Sequence, residues 1–244
     1  MKYIQQCLDV VNLKGFYLAC ILLFLGCNTT KQVQLTKEKV NAIELGVIVK
    51  KEGTLKNNIE IKGMPVFDQK LRVSILEKEF TKTSFKRYTV VFDTQKPTIS
   101  YSDTIAKKPT YVEIELIDDI GYARAINEDI AIREYVKNSK KAGVVSKIFM
   151  ISKVVLNTTK MTSAFLEMID NQYMVTMYSG EDLLMRIPFS EMVIFDYQTS
   201  FFCYGKNERN QVVVMDITEE GKSCKRPLER KATKLLKIKK LVDY

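Results

Sequence analysis

Between Ala42 and Asp118, apolar and polar residues alternate with a period of two. Ile43, Leu45, Val47 and Val49 are interleaved with Glu44, Gly46 and Lys50, and Leu71, Val73 and Ile75 with Arg72 and Ser74. Ile59 with Ile61, and Tyr88 with Val90 and Phe92, make shorter runs, and Tyr111 to Leu116 sets Val112, Ile114 and Leu116 against Glu113 and Glu115. Successive side chains of a strand point to opposite faces, so the alternation predicts half-buried strands. Gly53, Gly63-Met64-Pro65, Asp93 to Pro97 and Lys107-Lys108-Pro109 punctuate them. Five or six short strands within residues 41–118 predict a small β-sandwich. Glu113 and Glu115 share one strand face and read as its solvated side.

The period changes across residues 119–142. Ala123, Ile126, Ile130 and Tyr135 recur near helical spacing between Tyr122 and Lys137, which predicts a connecting helix that stops at Asn138 to Gly143. Asp118-Asp119 before Gly121 reads as a turn with an N-cap; no EF-hand spacing follows to make it a cation site. Residues 143–221 return to strands. Lys147 to Leu156 is apolar and β-branched, and Thr162 to Ile169, Asp170-Asn171 and Gln172 to Tyr178 read as a hairpin. Further runs at Leu183 to Ile187, Met192 to Tyr197, Phe201 to Tyr204 and Gln211 to Ile217 predict an antiparallel meander, as an open sheet or a partial barrel. From Pro227 to Val242, Leu228, Ala232, Leu235, Leu236 and Val242 lean to one side, which favours a C-terminal helix. The fold class is mainly β, a β-rich α+β arrangement.

The first 26 residues follow a different rule. Lys2 and Lys14 precede an unbroken apolar run from Phe16 to Leu25, then Gly26, Cys27 and a polar stretch. A basic start, a short apolar core and a small residue before the cut is the secretory pattern, and the run is too short to span a bilayer. Phe24-Leu25-Gly26-Cys27 resembles the lipobox of bacterial lipoproteins; Gly26 and Cys27 match it, while Phe24 and Leu25 are bulkier than its usual residues. The resemblance covers only this leader. It implies removal of residues 1–26, a diacylglyceryl thioether on Cys27, residues 27–40 as a tether, and a place in the cell envelope. Asn28 is not the Asp that commonly retains such proteins at the inner membrane, so the outer membrane is favoured.

Charge sharpens this outline. The net charge is +9, yet residues 222–244 hold nine cations against two acids, leaving the body near neutrality. Lys225, Arg226, Arg230, Lys231, Lys234, Lys237, Lys239 and Lys240 form a basic patch suited to anionic lipid, an acidic cell-wall polymer or an acidic partner surface. Nucleic acid does not suit the compartment. A solvated tail is the plain alternative.

The absence of histidine removes His-based triads and His metal ligands. No phosphate loop, Cys-x-x-Cys or nucleophile elbow occurs, and no cofactor or metal is called for. Cys7 and Cys20 leave with the leader, so Cys203 and Cys224 remain as a candidate disulfide or as two separate thiols. Tyr173, Phe195 and Phe202 are candidates to line an apolar pocket, with core filling as the alternative. Three functions follow: a non-enzymatic binding or assembly protein on a membrane tether, a lipid or small apolar ligand carrier, and a hydrolase with an unseen carboxylate site.

Overall fold

The computed structural model describes residues 43–52, 59–91, 99–102, 104, 108–152, 156 and 158–237. Ten strands follow in chain order: β1 Ile48–Lys51, β2 Ile59–Gly63, β3 Leu71–Glu79, β4 Thr110–Leu116, β5 Ala142–Ser152, β6 Ser163–Ile169, β7 Gln172–Ser179, β8 Asp182–Pro188, β9 Met192–Lys206 and β10 Val212–Glu219. The helices are α1 Lys82–Val91, α2 Asp119–Glu128, α3 Ile130–Asn138 and α4 Ala232–Lys237.

All ten strands join one antiparallel sheet. Its main path is β10-β9-β5-β4-β3-β6-β7-β8, with β1 paired to both β2 and β5. The mainly β, α+β class read from the sequence is the class observed. Strands assigned above to a sandwich and to a later meander share ladders: β4 pairs with β5, and β3 with β6. The reason lies in β5, whose eleven residues accept β4 and β1 along one edge and β9 along the other.

The interior follows from the register. Ile75, Ile114, Ile148 and Tyr197 lie opposite one another across four strands, all at most 5% exposed. Burying such a row removes apolar surface from water, worth about 25 cal/mol per Å². Leu76, Glu113, Phe149 and Asp196 lie on the opposite face, the one on which Glu113 and Glu115 were expected to be solvated. It is partly covered, because α1 packs on β9 and Arg87 of α1 bonds Asp196 at 2.7 Å. Glu113 is consequently buried, with Lys78 at 2.7 Å and the Tyr111 hydroxyl at 3.3 Å as its partners.

Several elements differ from the periodicity reading. Tyr88 and Val90 belong to helix α1; Phe92 lies outside the described residues. Thr81 and Ser84 cap one another's backbone N–H groups at 3.1 and 2.8 Å, and Phe85, Tyr88 and Val91 then fall on one helical face. Ile43 to Val47 is a buried turn, in which Gly46 has φ +87° and donates its N–H to Val145. The single helix expected over 122–137 is two, because Asp129 ends α2 and N-caps α3 through the Ile132 N–H. The two runs within 192–204 are one long strand, β9, bent by register shifts against β5. The Asp170-Asn171 hairpin has φ of +51° and +60°, as its turn type needs.

Both ends of the main strand path are blunted. At β10 the Asn127 side chain imitates a strand, donating to the Val214 carbonyl at 2.7 Å and accepting from its N–H at 3.0 Å. At β8 the partner of the ladder jumps across Leu184, and Arg186 and Pro188 follow. Bulges, charge and proline all discourage further pairing.

Candidate functional site

The three aromatics proposed for a pocket do not meet as one. Phe195 packs among Phe80, Tyr88, Tyr111 and Phe149, with centroids 5.6 to 6.4 Å away. Phe202 is 2% exposed in the core. Tyr173 lies against Phe67 at 5.1 Å and donates to the Pro65 carbonyl at 3.0 Å. Phe195 and Phe202 fill interior space, and Tyr173 is half-buried against the core.

The described part of the basic tail, through residue 237, is docked. Cys203 and Cys224 form a disulfide, their Cα atoms 5.7 Å apart. Beyond it, Glu229 exchanges both backbone hydrogen bonds with Tyr204, and Ala232 is 2% exposed. The Tyr204 hydroxyl donates to the Val136 carbonyl at 2.7 Å, and burial holds its pKa well above the ordinary tyrosine range. Docking redirects several of the predicted cations. Arg230 stacks 3.7 Å over the Phe201 ring, Lys225 lies 3.7 Å from Asp216, and Lys234 is 2.9 Å from Glu229. Burial lowers the pKa of Arg230, which still leaves a guanidinium charged at neutral pH. Arg226 and Lys231 stay exposed. Cys27, Lys239, Lys240 and the Lys237 side chain lie outside the described residues.

The tail also closes a polar cleft of about 360 Å³ that no sequence pattern indicated. Asp119 opens α2, Asp216 sits at a register shift in β10, and Ser146 and Ser200 share a 2.7 Å hydrogen bond across β5 and β9. Asp118, as expected, caps α2, accepting from Gly121 N–H at 2.9 Å. Burial first, and then the negative charge of Asp216, raise the pKa of Asp119 to about 6, while Lys225 opposes the rise. Three other acids near the rim have lysine partners: Asp216 with Lys225, Glu115 with Lys147 at 3.0 Å, and Glu219 with Lys222 at 2.8 Å. Asp118-Asp119 was the only available signal; nothing in the chain's spacing ties it to Asp216, Ser146 or Ser200.

Among the described residues, no three His, Cys, Asp or Glu side chains come together as a metal site would need, and no helix is long and apolar enough to cross a membrane. No protein-family model matches the chain, and no curated protein matches it in sequence.

Proposed function

We propose that the chain is an envelope lipoprotein, tethered through lipid on Cys27, whose folded β body serves as a non-enzymatic binding or assembly module. The Cys203–Cys224 bond supports the address, since disulfides persist in exported proteins. The observation that carries the binding reading is the pairing of acids with lysines around the polar cleft. Such pairs leave few free groups for acid–base chemistry. The carrier reading draws less support, because Phe195 and Phe202 pack inside the body and Tyr173, half-buried, lies against Phe67. Tethering concentrates a module at the surface where its partners lie. The test is chemical cross-linking of intact cells followed by native detergent extraction. A reproducible envelope partner supports the reading; a monomeric, partner-free protein contradicts it.

A second reading, a hydrolase, draws on one observation: Asp119 with a pKa of about 6 beside Asp216. Its test is turnover of ester and glycoside panels by the wild type and Asp119→Asn. Activity lost in the variant would favour it.

A further inference from the structure

We propose that a cleft between α3 and the β1–β2 hairpin binds a phosphate ester, the chemistry shared by an anionic lipid headgroup and a soluble glycerol phosphate. The cleft is shallow and open, with a volume of about 650 Å³, and Lys50, Lys62, Tyr135, Ser139, Lys140 and Lys141 form most of its wall. β1 supplies Lys50, β2 supplies Lys62, and the turn after α3 supplies the last three.

Two independent observations point to an anion. The first is an excess of unused donors. Ser139, Lys140 and Lys141 have no side-chain partner among the described residues, and the wall's one acid, Glu134, is already held by Lys137 at 2.9 Å and Arg133 at 3.7 Å. Among the described residues Lys50 has only distant ion pairs, 3.7 Å to Glu52 and 3.8 Å to Glu60. Lys62 is bonded to Glu60 and lies 5.8 Å over the Tyr135 ring. The second is the Tyr135 hydroxyl, the one buried side-chain polar atom among the described residues that has no hydrogen-bond partner. Buried hydroxyls are ordinarily paired, so this orphan on the wall of a cationic cleft leaves one polar group unused. Ammonium groups act as point charges on phosphate, and the hydroxyls add directed bonds.

The position suits a membrane surface. Ile43 stands sixteen positions after Cys27, a stretch that reaches at most about 55 Å when extended. β1 begins soon after it, so the cleft lies within reach of the anchoring bilayer. Its cations are separate from the C-terminal patch, where Arg230 stacks on Phe201 and Lys234 pairs with Glu229 while Arg226 and Lys231 stay exposed. The lipid source rests on the tethered reading above; the cleft itself does not.

The test is amine acylation of the mature protein read by mass spectrometry, with exposed Lys86 as reference. One arm adds glycerol 1-phosphate to protein in neutral detergent. The other reconstitutes it into phosphatidylcholine vesicles with or without phosphatidylglycerol. Labelling of Lys140 and Lys141 should fall about five-fold with the phosphate ligand. Protection by glycerol 1-phosphate identifies a soluble source, and protection by phosphatidylglycerol vesicles alone identifies the headgroup. Protection in neither arm, or equal protection by phosphatidylcholine alone, overturns the proposal. Lys140→Glu with Lys141→Glu should abolish the protection read at Lys50 and Lys62, the other lysines of the wall. Tyr135→Phe should weaken it with an unliganded Tm unchanged or higher; full protection in Tyr135→Phe, or a lower unliganded Tm, overturns the role of the hydroxyl. An unlipidated Cys27 would defeat the tethered reading while the glycerol phosphate arm still decides the cleft.

Discussion

Tyr122 lies fully buried on α2, and its hydroxyl donates to the carbonyl of Gly46. Gly46 has φ +87°, and a Cβ there would come within 3.3 Å of Leu166 and Met64. The hydroxyl therefore holds a turn that only glycine fits. Tyr122→Phe leaves a buried carbonyl without its side-chain donor and should cost about 1–2 kcal/mol, measured by urea unfolding. Asp119 gives a prediction of opposite sign. Its folded pKa, about 6, exceeds the ordinary aspartate value of 3.8, so the folded state binds more protons between those limits. Its contribution is most favourable below 3.8 and is lost as pH rises through 6. Asp119→Asn should therefore raise Tm, relative to wild type, more at pH 7.5 than at pH 4, by roughly 2 °C after allowing for its partial exposure. Single residues were legible where their effect is local: Asp118 as a cap, and Asp170-Asn171 as a turn. The Asp119–Asp216 approach was not, because sheet register brings it about and sequence distance does not bound spatial distance.

At the scale of elements, caps overrode periodicity. The run containing Tyr88 and Val90 reads as a strand if alternation alone is counted, but the reciprocal Thr81–Ser84 bonds start a helix just before it. Thr81→Ala should cost about 1 kcal/mol and loosen α1, visible as faster amide exchange from Phe85 to Tyr88. Asp129 likewise divided one expected helix into α2 and α3, a function available to any Asp with a free N–H three residues on. The C-terminal segment combines three ties to the sheet: the disulfide, the Tyr204–Glu229 backbone pair and buried Ala232. Closing a loop of this size contributes about 3 kcal/mol by restricting the unfolded chain. Cys203→Ser with Cys224→Ser should lower stability by about that amount in denaturant titration and speed amide exchange at Leu228 and Glu229. The two cysteines were legible as candidates, but spacing alone cannot bring their Cα atoms to bonding distance.

For the whole molecule, local alternation revealed the strands and concealed their partners. β3 and β4 read as half of a sandwich, yet they lie between β5 and β6 in one sheet, because pairing across the helical segment buries the Ile75, Ile114, Ile148 and Tyr197 row. That sheet carries the polar cleft by its β10 end and the lysine cleft beside β1 and β2. The functional reading joins these surfaces to a lipid tether, which fixes the membrane on which they would work. Mass spectrometry of the N-terminal peptide of the native, cell-extracted protein tests this most directly. The account predicts a peptide that begins at Cys27 with a diacylglyceryl group on its sulfur; a free thiol at that position, or a chain that keeps residues 1–26, would contradict it.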